Sequence, residues 1–231
     1  MRSVSQHSSC SKPPVILTPE EQIIEDKFQG LIDYYNGDDT NDWSVSIEEP
    51  YFNQERCFPE GSESVMIKLK LRVHASLNAL MDNLIDFEIR AKWDNQMYDF
   101  QTLEKEVDWS YAKIYYAIKS PFGVSDRDFV LAQYIRKDYP EPGQISLHVA
   151  SIPTDTSGKP LVKGRVRAEI KIVGYIITPL NDLVTGEEVC DCFMVSSVDI
   201  NGLVPKWIVN MASQDVPRKW FKQYEKASIA Y

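Results

Sequence analysis

The feature that most constrains this fold is a run of strand patterns that fills the middle of the chain. From Tyr98 to Val198, segments rich in alternating apolar and polar residues are divided by turn signals. The predicted strands are Tyr98–Val107, Tyr111–Ile118, Asp128–Arg136, Gln144–Ser151, Val166–Ile177 and Val189–Val198. Strands joined by short loops pair antiparallel, and a sheet this large must curl and bury its concave face under helices.

Helical patterns flank this run on both sides. Thr18 to Glu21 form a capping box with proline at the first helical position, which predicts the start of an amphipathic helix. Ser76 caps a second apolar helix, and a further helical turn is expected over Phe87–Trp93. The last helix is predicted over Leu203–Lys226, where Pro217 should kink it.

Two further strand patterns lie between the first two helices. Trp43, Val45 and Ile47 alternate with polar residues. In the second pattern, Ile67, Leu69, Leu71 and Val73 alternate with Met66, Lys68, Lys70 and Arg72, which predicts a strand with one wet face.

The order of elements predicts an α+β domain in which a curved antiparallel sheet wraps around a long C-terminal helix. Residues 1–17 are polar and end near two prolines, so we expect a disordered lead followed by one domain over residues 18–231. The sequence contains no internal repeat.

Composition excludes several classes of function. The 231 residues include 34 Asp and Glu against 25 Lys and Arg, a net charge of −9 that disfavours nucleic acid as a partner. The longest stretch without a charged residue, Pro142–Thr154, is shorter than the ~20 residues of a membrane-spanning helix. The first 17 residues lack the apolar core of a secretory signal, so a soluble, cytoplasmic protein is expected.

Motifs for catalysis and for metal binding are missing from the sequence. It has no Gly-rich phosphate loop, no His-Glu-x-x-His and no Gly-x-Ser-x-Gly. The cysteines and histidines lack metal-ligand spacing; they are Cys10, Cys57, Cys190, Cys192, His7, His74 and His148. We therefore expect no enzyme activity, no metal and no cofactor, and we expect the thiols to be buried or half-buried.

One charged motif stands out. Arg90 and Asp94 are four residues apart, next to Trp93 and directly after an apolar helix. On the surface they would form an ordinary exposed ion pair, which contributes little to stability. Facing the interior, they would offer a guanidinium fork to a phosphate beside a carboxylate. The periodicity alone leaves both interpretations open.

Four segments together are similar to the START family of StAR-related lipid transfer domains. They are the Arg-x-x-Trp-Asp of 90–94, the stretch Ile114–Val130 with its Ser-Pro-Phe-Gly-Val-Ser-Asp-Arg-Asp, the Val-Arg-Ala of 166–168, and Asp199–Asn210. Each segment alone would match many unrelated proteins, but the four together, in this order, are specific for the family. The resemblance implies a helix-grip fold with an internal tunnel for one lipid, and it points to phospholipid-binding members more than to sterol carriers.

The resemblance also implies site residues. Arg90 matches an arginine that contacts the lipid phosphate, Asp94 the nearby carboxylate, and Tyr116 and Phe129 two aromatic walls around the choline group. In an ungapped strand the third wall falls on Lys171, which would repel a quaternary amine. Gln133 stands where sterol carriers have a buried arginine. The remaining expected tunnel and lid residues are Trp93, Ile114, Ile118, Phe122, Leu131, Ile208, Met211 and Ala212.

The function implied is a non-enzymatic carrier of one glycerophospholipid, such as phosphatidylcholine, between membranes. We expect the loop Pro121–Asp126 and the last helix to act as a lid. A basic patch on that helix would meet anionic membranes transiently; its members are Lys206, Arg218, Lys219, Lys222 and Lys226. The alternatives are a lipid-sensing regulatory module with an unknown protein partner, a carrier of ceramide or sterol, and a hydrolase or cyclase on the same scaffold.

Overall fold

A ten-stranded sheet forms the body of the protein in the computed structural model, which describes residues 17–62, 64–121, 123–202 and 206–231, with side chains of the last range described from Val216 onward. The strands are β1 (Ser44–Glu49), β2 (Phe52–Cys57), β3 (Met66–Val73), β4 (Met97–Lys105), β5 (Tyr111–Ile118), β6 (Asp126–Lys137), β7 (Ile145–Ser151), β8 (Arg165–Arg167), β9 (Glu169–Asn181) and β10 (Glu188–Asp199). The helices are α1 (Pro19–Asn36), α2 (Leu77–Ile85), α3 (Phe87–Arg90) and α4 (Lys206–Ile229).

The sheet runs in the order β1-β2-β3-β10-β9-β7-β6-β5-β4, with antiparallel neighbours throughout. The short strand β8 pairs in parallel with the start of β6. This large antiparallel sheet with a long C-terminal helix confirms the predicted α+β architecture.

Helix α1 covers the outer face of the sheet. Its capping box is formed as predicted, because the Thr18 hydroxyl accepts from the Glu21 backbone and the Thr18 backbone donates to the Glu21 carboxylate. Its residues Phe28 and Leu31 are fully buried against the sheet. Close approach depends on Gly174 of β9, where a β-carbon would lie 2.6 Å from Leu31 Cδ1.

The predicted wet face of β3 is exposed at Lys70 and partly exposed at Arg72, but the prediction is corrected at Lys68. Lys68 is 6% exposed, and its ammonium lies 2.9 Å from Asp39 Oδ2 and 4.0 Å from the centre of the Trp43 ring. The segment that follows α1 brings this carboxylate and indole over the outer face of β3. The alternation correctly separated the two faces, but it could not show that part of the outer face would be covered.

The strand ends differ from the predicted ones by a few residues, and two differences are larger. The pattern assigned to Val166–Ile177 divides into β8 and β9, because Ala168 leaves the ladder and its backbone N–H donates to the Asp128 carbonyl. Strand β2 was not predicted, since its sequence carries four polar or charged residues between Phe52 and Cys57. It forms through pairing with β1 and β3.

Helix α4 lies against the concave side, next to α2. The Tyr224 hydroxyl donates to the Leu80 carbonyl at 2.9 Å, and the rings of Phe221 and Phe52 are 5.3 Å apart. The helix continues through Pro217.

The Ser-Asp-Arg-Asp segment of residues 125–128 forms a polar network at the start of β6. Asp128 is 1% exposed and accepts two hydrogen bonds from Arg167, at 2.8 and 3.2 Å, and a third from Tyr115. The Tyr115 hydroxyl in turn accepts from Arg165 at 2.6 Å. These contacts join β5, β6 and β8.

No helix among the described residues is long and apolar enough to cross a membrane. In the same part of the chain, no group of three or more His, Cys, Asp or Glu side chains is arranged to hold a metal ion. Cys57, Cys190 and Cys192 are free and buried, as predicted for the thiols; Cys10 lies outside the described residues.

Candidate functional site

A cavity of about 700 Å³ lies between the concave face of the sheet and helices α2 to α4. This volume lies well within the ~300–1,000 Å³ range of small-molecule sites. Its apolar lining comes from alternate residues of the strands, among them Leu69, Ile114, Ile118, Leu131, Leu147, Val149, Ile170, Val173, Met194 and Val198. Predicted tunnel residues Ile114, Ile118 and Leu131 are therefore cavity residues.

The arginine of the charged motif lies on this cavity. Arg90 ends α3, and its Nε donates to Asp94 Oδ2 at 3.2 Å; their side chains are 17% and 4% exposed. The two terminal nitrogens of Arg90 have no hydrogen-bond partner among the described residues. Asp94 does not line the cavity, so it orients the guanidinium from behind. The structure thereby decides for the interior interpretation of the motif.

Trp93 also lies behind the cavity and does not line it. Its ring packs 6.1 Å from Trp220 and 5.8 Å from Tyr224, and the Arg90 guanidinium lies 5.8 Å from the Trp220 ring. Trp220 itself lines the cavity. The predicted tunnel position of Trp93 is therefore corrected: it supports Trp220 and Arg90 from below.

Tyr116 and Phe129 both line the cavity, from paired positions of β5 and β6. Their rings stack with centroids 5.1 Å apart and an interplanar angle of 29°. Phe100 extends this surface, 5.7 Å from Tyr116. Since the two rings stack on each other, they form one continuous aromatic surface and not two opposed walls.

The ungapped assignment of Lys171 to this cavity is corrected by the structure. A β-bulge interrupts the pairing of β9 with β10, where Ser197 pairs with Ile172 and Val198 pairs with Ile170. Lys171 is left unpaired and exposed, with its ammonium 2.8 Å from Glu169. The bulge shifts the alternation by one residue, because each strand residue points to the opposite face from its neighbour.

Tyr175 is a further aromatic residue of the cavity. It is 8% exposed, and it lines the cavity together with Val173. Sequence reasoning did not name it, because it placed the third aromatic wall at Lys171; a strand without a bulge would put Tyr175 on the same face as Lys171. The adjacent apolar residues Ile172 and Val173, which break the alternation, were the available signal of the bulge that separates the two.

Both cavity tyrosines are neutral hydrogen-bonding groups. Burial raises the pKa of Tyr116 and of Tyr175 to about 12 each, although the positive charge of Arg90 opposes the rise. Neither hydroxyl has a hydrogen-bond partner among the described residues. The guanidinium and two phenols therefore offer donors to a negatively charged or oxygen-rich group.

Gln133 lines the cavity from β6 and is 2% exposed. Its Nε2 is buried without a hydrogen-bond partner in the described part of the chain. Predicted as a site residue, Gln133 is a second polar group in an otherwise apolar part of the wall.

Arg127 joins the two segments at one end of the cavity. Its guanidinium donates to the carbonyls of Ser125, Ile200 and Asn201, the last two at 2.9 and 3.0 Å. Arg127 is 6% exposed and lines the cavity, and desolvation lowers its pKa. It thus fastens the β5–β6 loop to the segment that leaves β10.

Four predicted tunnel or lid side chains lie outside the described residues: Phe122, Ile208, Met211 and Ala212. The side chain of Lys206 in the predicted basic patch is also outside them. Arg218 pairs with Glu49 at 2.5 Å, whereas Lys219, Lys222 and Lys226 are exposed on α4.

Comparison with protein families identifies the family of this chain. The model of the START domain matches residues 34–227. The chain belongs to the START domain family. This START domain is 29% identical over 170 residues to START domain-containing protein 10 of Mus musculus, an alignment covering 71% of this chain and 54% of that protein. It spans about half the length of that relative and of the Homo sapiens protein of the same name, which matches equally.

Two solved structures support the START fold. Human STARD10 superposes with a TM-score of 0.74 at 21% identity, covering 94% of this chain and 82% of that one. Human StAR-related lipid transfer protein 5 gives a TM-score of 0.73 at 19% identity and covers 91% and 96%. At these identities the superpositions establish the fold alone.

Proposed function

We propose that this START domain binds one glycerophospholipid in the cavity, with the phosphate at Arg90, and carries it between membranes. The observation that carries the proposal is the position of Arg90. A buried guanidinium that uses only its Nε internally presents two donors to a large apolar cavity, and guanidinium groups bind phosphate oxygens strongly.

The apolar lining suits acyl chains. Each buried CH₂ contributes roughly 0.8 kcal/mol, so a lipid tail gains several kcal/mol when alternate side chains of β5, β6, β7 and β9 surround it. The hydroxyls of Tyr116 and Tyr175 would replace part of the hydration that the phosphate loses on entry.

Choline recognition would require a different arrangement from the one expected. Tyr116 and Phe129 supply one stacked surface. A further aromatic side chain of the cavity is Tyr175, and Lys171 does not line the cavity. With Lys171 on the outer face, its ammonium no longer opposes a quaternary amine. Phosphatidylcholine is accordingly our proposed ligand within the phospholipid class.

Exchange of the lipid requires the cavity to open. We assign the lid to the loop Pro121–Asp126 and to α4. Arg127 donates to the Ser125 carbonyl of this loop and to the carbonyls of Ile200 and Asn201, which precede α4. The exposed lysines 219, 222 and 226 of α4 would meet an anionic bilayer transiently in the cytoplasm.

Native mass spectrometry of the purified protein tests the proposal. We expect one bound phospholipid per chain after incubation with phosphatidylcholine vesicles, and Arg90→Gln should reduce the bound fraction at least tenfold. The matched control is Arg72→Gln, which removes an exposed guanidinium that pairs with Asp191 on the outer face.

Three outcomes would contradict the proposal. A cavity that stays empty with phospholipid but fills with sterol or ceramide would change the ligand class. Equal loading of the Arg90→Gln variant and the wild type would show that Arg90 does not bind the phosphate. A lipid that stays bound while the protein associates stably with another protein would favour a lipid-sensing module over a carrier.

A further inference from the structure

The side-chain amide of Gln133, in the wall of the cavity, has a nitrogen without a hydrogen-bond partner among the described residues. A buried primary amide without a hydrogen bond is costly, because water that solvated it in the unfolded chain is not replaced. Gln133 forms no side-chain hydrogen bond within the described residues, although it is 2% exposed. Gln133 lines the cavity wall while its Nε2 is not exposed to the cavity, so a rotation of the side-chain amide would present this donor to a bound ligand.

The register of β6 separates this amide from the aromatic surface. Phe129, Leu131 and Gln133 all line the cavity on alternate positions of the strand. Four residues of an extended strand correspond to roughly 13 Å between the Cα atoms of Phe129 and Gln133. The amide therefore faces a different part of a bound lipid from the part that contacts Phe129.

The surroundings of Gln133 define the chemistry of that part. Its neighbours across the sheet are Ala112 on β5 and Val149 on β7, and Val173 follows on β9. None of these side chains carries a charge or a hydrogen-bonding group. An ionic ligand group would lack a counterion there, whereas a neutral oxygen acceptor would satisfy the amide without desolvating a charge.

We infer that Gln133 donates a hydrogen bond to an ester carbonyl of the bound lipid and thereby favours ester-linked over ether-linked glycerophospholipids. The inference rests on the proposed function, which positions the phosphate at Arg90. In a glycerophospholipid the ester carbonyls follow the phosphate and the glycerol, so they are the first neutral acceptors toward the acyl chains. An ether oxygen is a weaker acceptor and would leave the amide underbonded.

A competition experiment tests this inference. The protein is incubated with vesicles that contain equimolar diacyl and dialkyl phosphatidylcholine of matched chain length, and the bound species are counted by native mass spectrometry. One hydrogen bond of ordinary strength predicts that the diacyl lipid is favoured about three- to tenfold. Gln133→Leu, which keeps a side chain of similar size, should bring the ratio to about one, whereas Gln29→Leu on the exposed face of α1 should keep the wild-type ratio.

The possible outcomes separate the two proposals. Equal loading of both lipids by the wild-type protein overturns the Gln133 inference while phospholipid binding stands. A diacyl preference that persists in Gln133→Leu also overturns it. If neither lipid loads, the proposed function fails and the inference fails with it.

A thermal melt of the lipid-free proteins controls for folding. Removal of an unsatisfied amide from an apolar wall should leave the melting temperature of Gln133→Leu equal to that of the wild type or above it. A lower melting temperature would indicate that the amide has a partner within the protein, which would overturn the inference.

Discussion

Gly174 and Leu31 contact each other so closely that β9 can carry no side chain where α1 crosses it. A β-carbon on Gly174 would meet both methyl groups of Leu31, at 2.6 and 3.0 Å, and Leu31 is fully buried. We expect Gly174→Ala to lower the free energy of unfolding by about 1–3 kcal/mol through overpacking. Urea denaturation measures the change.

Gly30 provides the matched control for this substitution. It lies on α1 next to Leu31, and a β-carbon there would have no neighbour within 4 Å. Gly30→Ala should therefore stabilise the protein by up to about 1 kcal/mol, because alanine is the better helix former. Equal effects of the two alanines would contradict the close contact.

The bulge in β9 predicts opposite results for two substitutions four residues apart. Tyr175→Leu removes a ring and a hydroxyl from the cavity, so we expect phosphatidylcholine occupancy to fall at least fivefold. Lys171→Gln changes only the outer face, where Lys171 pairs with Glu169, and it should keep wild-type occupancy. Native mass spectrometry after vesicle incubation measures both. Loss of binding in Lys171→Gln would show that the strand has the other register.

Arg127 is expected to control lipid exchange. Its planar guanidinium donates to three carbonyls that belong to two segments, a geometry that an ammonium group cannot reproduce. Arg127→Lys keeps the charge but should loosen this end of the cavity, so fluorescent phospholipid should transfer between vesicles several-fold faster. It should also destabilise the fold by about 1–3 kcal/mol.

Arg72→Lys is the control for that change, since Arg72 makes an exposed ion pair with Asp191. Transfer slower than wild type in Arg127→Lys would instead assign Arg127 a direct role in loading.

The lysines of α4 predict salt-dependent transfer to anionic membranes. Lys219, Lys222 and Lys226 are exposed and lie at helical spacing on one face. Each contributes about 1 kcal/mol near an anionic surface, so replacing all three with glutamine should slow transfer to such vesicles at least tenfold at low salt. Lys70→Gln on β3 is the single-charge control. If the wild-type protein transfers lipid to anionic vesicles at the same rate in low and high salt, the lysines of α4 do not attract it to the membrane.

His148 predicts a loss of stability in mildly acidic solution. It is 2% exposed beside Phe28, and desolvation together with the charge of Lys27 lowers its pKa from 6.5 to about 4. Between these values the unfolded chain binds the proton and the folded chain does not, so stability falls as the pH drops through 6.5 toward 4.

This one group should reduce the free energy of unfolding by about 2 kcal/mol between pH 7.5 and pH 5. His148→Gln does not titrate, so the difference between wild type and variant in urea denaturation should shrink by that amount over the same interval. A difference that is independent of pH would show that His148 titrates normally in the fold.

Part of the site was predictable because the family resemblance named Tyr116, Phe129 and Gln133. Strand alternation on β5 and β6 places them on one face together with Leu131, and all four line the cavity. The capping box at Thr18 and the order of the strands are likewise local properties of the sequence. These features depend on residues that are neighbours in the chain.

The errors arise where distant elements meet. A bulge against β10 turned Lys171 outward while Tyr175 stayed inside, and the segment after α1 buried Lys68 on a face that looked wet. Neither the partner strand nor the covering segment can be read from the alternation of the strand itself.

The sequence by itself determined most of the strands, the caps and the spacing that pairs Arg90 with Asp94, because each depends on a few adjacent residues. Only the tertiary structure decided that Arg90 faces a cavity with its terminal nitrogens free of partners among the described residues. The side of a helix that faces the interior depends on what the rest of the chain packs against it, and here that is the concave sheet together with Trp220 of α4.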